Sequence, residues 1–521
     1  MIQVDIELKR IQTFLFQVPR LKAMLGANAL VGEVMRVKLA ELAGDASEQT
    51  GDFGFESYTD DPLNDIPDPK GLLRDNPEKA YQQGILARDG GHFSALFKDH
   101  DTADNFMMQV AVLLSKELPG VLFELRKSDG SEKSLENRSG QKTIEAVPDI
   151  PVLQICTATG QGPAAVKDST DYLSKSAQLR EKYGDKFYQG KTQDIIGLLR
   201  EPLGLNQNKR PEDLNNLADG GYLALIHADG NSIGDRYKYW RNQCDKNADA
   251  LIKEAHGEKF FHSMRVVVRK AVVEAISSTF GNRVGSDGQR LYQPLMLGGD
   301  DLVMVCRADL ALEFCRRLCE CIQNYPLADK QPLTLGIGVA IAKASYPFYR
   351  LNALAEELAS SAKRLSRGQP SGNKASVIDW QVVTQSNFSD LVTTRSKADF
   401  FTYCTSKDNK ETLLLNQRPY QVLPADNTGL SSLAELLDAA EALSGLEGTA
   451  RSALRGLRSE YEKGRLHGEL AFANLIKPNQ DALSSGGIKQ AWITQEGYYS
   501  TPLFDLIELT ELQHLGNRKA Q

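Results

Sequence analysis

The stretch LMLGGDDLVMVC, residues 295–306, constrains the fold more than any other part of the sequence. Apolar, β-rich runs on both sides of a Gly-Gly pair predict a tight hairpin, with Gly298 and Gly299 supplying positive φ values. Asp300 and Asp301 follow at once on the outgoing strand. Neighbouring strand residues point to opposite faces, so the two acids are expected to have different roles unless irregular pleating at the turn brings both to one ion.

A metal site needs a further carboxylate, and the sequence offers one upstream. Residues 222–228, YLALIHA, read as a buried strand that ends in Asp229 and continues into a turn containing Gly230. Carboxylate oxygens are hard ligands of the kind that Mg²⁺ and Mn²⁺ prefer when they carry substrate phosphates. The sequence therefore predicts a metal site built from Asp229, Asp300 and Asp301.

The segments between and after these acids predict how they meet. An apolar-periodic helix is predicted over about 260–280, a second helix over about 309–325 and a strand over 333–342. The resulting order is β-α-β-β-α-β, the ferredoxin-like split βαβ unit, in which the first strand and the hairpin lie side by side. Both acid sites are then expected at one edge of the sheet.

Three of these features together resemble a known family. The Asp-Gly strand end, the Gly-Gly-Asp-Asp hairpin and the helix over 354–363 are similar to the palm domain of the large subunit of type III CRISPR effector complexes. That palm is related to GGDEF cyclases and, more distantly, to polymerase palms. The resemblance implies metal-dependent condensation of ATP into cyclic oligoadenylates, with Asp229, Asp300 and Asp301 at a two-metal Mg²⁺ or Mn²⁺ site.

The same resemblance implies a set of nucleotide contacts, with Lys363 on the triphosphate. The implied nucleotide-binding residues are Gly230, Asn231, Ser232, Gly234, Gly298, Gly299 and Lys363. One position departs from the family pattern: members often carry a second Asp two residues after the first, where this chain has Asn231. We expect this change to alter metal affinity or nucleotide placement.

An internal duplication is indicated near the N-terminus. Residues 89–97 can be laid on residues 297–305 so that Gly90-Gly91 matches Gly298-Gly299, while His92-Phe93 replaces the acid pair. The first strand is also expected to lack the matching acid, because Lys9 falls near the position of Asp229. This copy is predicted to be catalytically silent. It would either hold the acceptor nucleotide opposite the metals, as tandem palms do in the resembled subunits, or only bury the back of the second copy.

The predicted architecture is an α+β fold with two ferredoxin-like (βαββαβ) palm domains. The boundaries are 1–130 for the degenerate palm, 131–218 for a linker and helical inter-palm module, 219–382 for the GGDD palm and 390–521 for a C-terminal helical domain. The last domain resembles the one that docks neighbouring subunits in CRISPR assemblies, and structural packing alone explains its pattern equally well. The N-terminal HD nuclease domain of many relatives is expected to be absent.

Charge and hydropathy limit the partners. A net charge of −7 argues against wholesale coating of nucleic acid, although 61 Lys and Arg residues leave room for a local basic face. The N-terminus lacks a signal-peptide layout, and no apolar run reaches the roughly 18 residues of a membrane span. A cytoplasmic protein without membrane contact is predicted.

Three hypotheses follow for function. The first is a two-palm cyclase that makes a cyclic oligoadenylate second messenger in antiviral defence, either with guide RNA, target RNA and other effector subunits or as a regulated stand-alone enzyme. The second is another GGDEF-like chemistry, such as cyclic dinucleotide synthesis. The third is a non-catalytic scaffold of a ribonucleoprotein assembly, in which Asn231 marks the decay of the site.

Overall fold

The computed structural model describes residues 2–47, 84–88, 90–128, 136–139, 153–160, 162–243, 250–368, 375–384, 391–406, 409–424, 432–444, 448–495 and 498–517. All structural statements below refer to these residues. Most of the linker predicted at the start of 131–218 lies outside the described residues.

The N-terminal part folds into a five-stranded sheet with the order β2-β3-β1-β4-β5. The strands are β1 (Ile2–Lys9), β2 (Ile85–Ala87), β3 (His92–Phe97), β4 (Leu122–Ser128) and β5 (Glu136–Ser139). The helices are α1 (Ile11–Leu15), α2 (Leu21–Glu33), α3 (Leu39–Ser47), which follows a π-helical turn at Val34–Lys38, and α4 (His100–Glu117). Strand β1 buries every second side chain, which is the pattern of a sheet with one face on a core.

A connecting region joins this sheet to the next. It contains the short hairpin β6 (Val166–Asp168) and β7 (Asp171–Leu173), followed by α5 (Lys175–Tyr188), α6 (Ile195–Leu198) and α7 (Leu214–Ala218). Helix α5 crosses α2 at two glycines, because a Cβ on Gly26 would lie 2.5 Å from the backbone nitrogen of Gly184. Larger residues there would force the two helix backbones apart.

The central part is a six-stranded sheet with the order β15-β12-β11-β8-β10-β9. Its strands are β8 (Tyr222–Gly230), β9 (Tyr292–Leu297), β10 (Leu302–Arg307), β11 (Leu335–Lys343), β12 (Val377–Val382) and β15 (Tyr420–Gln421). Its helices are α8 (Ile233–Arg241), α9 (Ala250–Thr279), α10 (Ala308–Gln323) and α11 (Phe348–Gly368). Strand β8 is central because it pairs antiparallel with both β10 and β11.

The two sheets share one strand arrangement. In the first, β1 lies between β3 and β4, and in the second β8 lies between β10 and β11. Both first strands also end in a left-handed residue that begins a short helix: Arg10 has φ 51° and Ser232 has φ 57°. Such values are uncommon outside glycine. The repeated order places the tip of the hairpin β2–β3 and the tip of the hairpin β9–β10 beside the ends of their first strands.

The C-terminal part contains helices and a sheet that the sequence did not indicate. The helices are α12 (Leu391–Ala398), α13 (Leu433–Ser444), α14 (Gly448–Tyr461), α15 (Arg465–Ala473), α16 (Lys477–Ser485) and α17 (Leu503–Asn517). A four-stranded sheet, in the order β13-β14-β17-β16, is built from β13 (Phe400–Ser406), β14 (Asn409–Leu414), β16 (Ile493–Gln495) and β17 (Tyr498–Ser500). The segment predicted as mainly helical therefore also contains a sheet, of which β16 and β17, with three residues each, are too short for an alternating pattern.

One buried ion-pair group ties this part to the central sheet. Arg418 contacts Asp505 at 2.8 Å and Glu508 at 2.9 Å, and its guanidinium lies 4.9 Å from the ring centroid of Trp380 on β12.

No helix in the described ranges is long and apolar enough to span a bilayer.

Candidate metal and nucleotide site

Strand register brings the three predicted acids together. Leu302 of β10 pairs with Ala228 of β8, so one further step along both strands sets Asp301 opposite Asp229. One ligand oxygen from each of Asp229, Asp300 and Asp301 lies within 4.8 Å of the others. The predicted grouping of acids from two separate segments is therefore present in the structure.

The turn itself differs from the prediction. Strand β9 ends at Leu297 and β10 begins at Leu302, so residues 298–301 form the loop, closed by a 2.8 Å hydrogen bond from the Gly298 amide to the Asp301 carbonyl. Neither Gly298 nor Gly299 is among the positive-φ glycines, whereas Gly90 and Gly91 have φ values of 63° and 77°. The predicted role of the 298–299 pair was wrong because the acids belong to the loop, and a longer loop needs no left-handed pair.

The loop position also explains why both acids reach one place. Regular pleating would separate neighbouring side chains, but Asp300 and Asp301 precede the first residue of β10. Burial, together with the charge of Asp229, raises the pKa of Asp300 to about 6. Burial and the charges of Asp229 and Asp300 raise the pKa of Asp301 to about 8. Three partly buried carboxylates are thus held close enough to oppose one another's ionisation.

Gly230 makes room for one of these acids. A Cβ at this position would lie 2.8 Å from Oδ2 and 2.9 Å from Cβ of Asp300. Its backbone therefore forms the surface against which the Asp300 side chain rests. Glycine is required here because the Asp300 side chain approaches the backbone of residue 230 closely. Gly230 therefore supports the acid site independently of any contact with a nucleotide.

Lys363 reaches the cluster from α11. Its ammonium forms an ion pair with Oδ2 of Asp229. Gly336 pairs with Asp229 across β8 and β11, and a Cβ on Gly336 would lie 2.4 Å from Cγ of Lys363. The lysine stem thus passes over a glycine to bring its charge to the strand end.

The other predicted nucleotide contacts have different surroundings. Asn231 is 5% exposed, and its side-chain amide donates to Oγ1 of Thr334 at 3.3 Å. Ser232 begins α8 in the left-handed conformation, and Gly234 in the first turn has no atom within 4 Å of an added Cβ. Asn231 therefore secures the end of β8, and nothing near Gly234 requires a glycine.

A cavity of about 480 Å³ opens between the two hairpins and is called the hairpin cavity here. Gly298, Gly299, Asp300 and Asp301 line it on one side, and Gly90, Gly91 and His92 line it on the other. Arginines that the sequence did not single out also line it, namely Arg36, Arg88 and Arg265. Their separation along the chain left no local signal, because only the packing of the two sheets brings them together.

On the first sheet, register sets Ile6 opposite Phe93, which aligns with Asp301, so the position that matches Asp229 holds no acid. Register sets Glu7, rather than Lys9, opposite His92. Glu7 contacts Lys9 at 2.5 Å and Arg126 at 3.4 Å. Its charge is thus compensated by side chains, and within the described ranges only Asp229, Asp300 and Asp301 form a group of three or more candidate metal ligands.

A second cavity, of about 490 Å³, lies beyond Asp229 and is called the strand-end cavity. It is lined by the turn after β1 and by residues of β8 and α11, including Arg10, His227, Asp229, Ser360 and Lys363. Ile11 lines both cavities. The acid cluster therefore lies between two spaces, with Asp300 and Asp301 facing one and Asp229 facing the other.

The donor set fits a divalent cation. Hard carboxylate oxygens are the ligands that Mg²⁺ and Mn²⁺ prefer. Burial and the neighbouring acids raise the pKa values of Asp300 and Asp301, so a dication at the cluster would offset the cost of ionising these carboxyl groups. Strand β8, the β9–β10 hairpin and these acids together define a palm-type domain with a candidate metal site.

Comparison with known proteins agrees with this class. Residues 222–370 match the family model described as Cas10/Cmr2, second palm domain. No curated protein sequence matches the chain. Residues 222–370 therefore carry a second palm domain of the Cas10/Cmr2 type.

One solved structure shows the same fold at low identity, and others are similar to this chain. Csm1 of T. onnurineus matches with 12% identity over 99% of this chain and 69% of its own, at a TM-score of 0.52. A Csm1–Csm4 cassette in complex with pppApApA matches with 12% identity over 98% and 69%, at a TM-score of 0.49. The apo Csm1–Csm4 cassette matches with 13% identity over 71% of this chain, at a TM-score of 0.37, and this chain spans 53% of its length.

Proposed function

We propose that this chain is a metal-dependent nucleotidyltransferase that condenses ATP into cyclic oligoadenylate second messengers in CRISPR-type antiviral defence. The observation that carries the proposal is the convergence of Asp229, Asp300 and Asp301 within 4.8 Å beside two cavities. The choice of ATP and of a cyclic product rests on the match of residues 222–370 to the Cas10/Cmr2 second palm domain.

The roles of the residues follow from their positions. Asp229, Asp300 and Asp301 would hold Mg²⁺ or Mn²⁺, in a two-metal arrangement. When bound, these ions would lower the pKa of an attacking ribose hydroxyl and offset charge on the phosphate oxygens. Lys363 stands on the strand-end side of Asp229 and would contact the triphosphate. Gly298 and Gly299 expose backbone at the hairpin cavity, where a nucleotide would approach.

The N-terminal sheet is proposed as a second, ferredoxin-like palm without a metal site. The shared strand order, the left-handed residues at Arg10 and Ser232 and the ion-paired Glu7 support this reading. Its hairpin faces the acids across the hairpin cavity, so it can hold the acceptor nucleotide. The domain boundaries proposed are 1–130, 131–218, 219–382 and 390–521.

The assembly is also a proposal. The match of residues 222–370 to the Cas10/Cmr2 second palm domain supports other effector subunits as partners, together with guide and target RNA, and a cytoplasmic location. The C-terminal part, joined to β12 through Arg418, is the candidate docking domain.

The test is to incubate the full chain with each nucleoside triphosphate and Mg²⁺ or Mn²⁺, with and without candidate RNA, and to resolve the products by mass. The expected product is a ring of AMP units, reduced at least about a hundredfold by Asp300→Asn. Asp287→Asn, which alters an exposed acid before β9, serves as the control and should keep full activity. A cyclic dinucleotide would replace the proposed product, and absence of both product and nucleotide binding would support a scaffold instead.

A further inference from the structure

The strand-end cavity has a polar lining that suits phosphate. Lys363 and Arg10 bring positive charge, Ser360 and Thr13 bring hydroxyl groups, and Asp229 and Glu356 bring carboxyl groups. The hairpin cavity has three arginines of its own and, in addition, apolar and aromatic side chains such as Val31, Met35, Tyr237, Phe261 and Met264, which suit bases. The hairpin cavity therefore offers an aromatic surface to a base, and in the strand-end cavity Lys363 and Arg10 are the groups that attract phosphate.

Arg10 is a charged residue of the strand-end cavity whose position is not accounted for by any contact of its side chain. Across the part of the chain that the structure describes, its guanidinium has no hydrogen bond, ion pair or ring contact, and the residue is exposed. Its backbone has φ 51° and ψ 42°, a conformation that costs a non-glycine residue about 1–2 kcal/mol. Strained residues of this kind concentrate at ligand sites. Here the turn directs an arginine to the same cavity as Lys363 and Asp229.

The turn that carries Arg10 is fixed to the central sheet. The side-chain amide of Gln12 lies 3.0 Å from Nε2 of His227 on β8, two residues before Asp229. His227 is 7% exposed, so this contact between the two sheets is buried. The amide of Leu8 also donates to the carbonyl of Gly91 at 2.8 Å. Arg10 is thus held against the second sheet although it belongs to the first.

We infer that the strand-end cavity receives the leaving pyrophosphate of a nucleoside triphosphate, and that Arg10 binds it together with Lys363. This inference rests on the proposed function. In the reaction, a ribose hydroxyl forms a bond to the α-phosphorus and its proton passes to water. The bond from that phosphorus to the bridging oxygen breaks, and pyrophosphate leaves with the electron pair.

The geometry of displacement favours this assignment. Attacking and leaving oxygens lie roughly in line on opposite sides of the phosphorus. Asp300 and Asp301 face the hairpin cavity and Asp229 faces the strand-end cavity, so a phosphorus at the cluster would have one cavity on each side. The N-terminal sheet then contacts both reacting groups. Its hairpin tip holds the acceptor nucleotide, and Arg10 binds the leaving pyrophosphate.

The test measures pyrophosphate directly. In the full chain with Mg²⁺, inorganic pyrophosphate binding is followed by isothermal titration and its inhibition of ATP turnover by product analysis. Arg10→Gln should weaken both by about tenfold or more, since a charge-assisted hydrogen bond to phosphate is lost, and Arg10→Lys should restore part of each. Lys330→Gln is the matched control, because Lys330 is also exposed and left-handed, at φ 63°, but does not line the cavity.

The outcomes separate this inference from the proposed function. Turnover of ATP with pyrophosphate binding unchanged in Arg10→Gln would overturn the role of Arg10 and leave the cyclase proposal standing. Pyrophosphate binding that is lost in Arg10→Gln, in a chain that makes no product, would support the cavity and count against the cyclase. If Arg10→Gln and Lys330→Gln weakened pyrophosphate binding equally, the effect would come from the overall surface charge and not from the cavity, and this result would contradict the inference.

Discussion

Gly230 and Asp300 are packed so closely that a methyl group on the glycine would lie 2.8 Å from the acid's Oδ2. Atoms at that distance must move apart, and backbone on a central strand yields less readily than a loop side chain. The contact therefore fixes where the Asp300 carboxylate stands relative to Asp229.

Gly230→Ala is expected to lower nucleotidyl transfer by about a hundredfold while the protein stays folded, because displacement of an acid by about 1 Å disrupts positioning. Initial rates with ATP and Mn²⁺, together with circular dichroism, measure this. Gly234→Ala, four residues along, meets no atom within 4 Å and should retain activity. Equal rates in both variants would show that the Gly230 contact does not set the site.

Removal of one acid should stabilise the metal-free protein. The folded-state pKa values of Asp300 and Asp301, about 6 and about 8, lie above the roughly 3.9 of an unfolded aspartate. The folded state thus binds more protons than the unfolded state. The stability that these two carboxyl groups contribute is therefore fully present below about pH 4 and is lost as the pH rises through about 6 and about 8.

Asp301→Asn is therefore expected to raise the melting temperature at pH 8 in chelator and to have little effect near pH 5. Mg²⁺ should stabilise the wild type more at pH 8 than at pH 5, because ligand binding to the folded state adds stability. Thermal denaturation at both pH values provides the measurement. A wild type whose melting temperature gains nothing from Mg²⁺ at pH 8 would contradict the account.

Lys363→Gln should separate metal binding from nucleotide binding. The lysine ammonium competes with a dication for Asp229, so its removal is expected to keep or tighten Mn²⁺ binding. The KM for ATP should rise about tenfold, because a charged contact to phosphate is lost. Titration of Mn²⁺ and steady-state kinetics report the two effects. Lys343→Gln, at the far and exposed end of β11, should change neither, and a parallel loss of metal binding in Lys363→Gln would argue for a structural role instead.

Arg418→Met should destabilise the junction between the C-terminal part and β12. The arginine is 7% exposed and faces the fully buried Asp505, whose pKa burial raises to about 6. Loss of one partner of a buried pair costs about 3–5 kcal/mol, since the remaining charge is left without compensation. Arg455→Gln breaks an exposed pair with Glu511 and should cost less than about 1 kcal/mol. Thermal unfolding of both variants distinguishes them, and equal shifts would be the contrary result.

The sequence predicted the acid cluster because its determinants are local. A buried strand that ends in Asp229 and an apolar hairpin with two acids each have a clear pattern, and the β-α-β-β-α-β order brings them to one edge. The turn conformation was not predictable from the Gly-Gly pair, since loop length rather than glycine content decides whether positive φ is needed.

Residues that depend on packing between the sheets carried no such pattern. Arg10, Arg88 and Arg265 are far apart in the sequence, and only tertiary structure brings them to the cavities. The pairing of Glu7 with His92 could not be predicted, because the register of β1 against β3 cannot be read from either strand alone.

The most direct test of the central claim is an anomalous-scattering map from crystals grown with Mn²⁺ and a non-hydrolysable ATP analogue. The account predicts manganese peaks within roughly 2.0–2.2 Å of carboxylate oxygens of Asp229 and of at least one of Asp300 and Asp301, with the phosphates directed toward Lys363 and Arg10. Manganese and nucleotide bound elsewhere, with the three carboxylates free of metal, would contradict it.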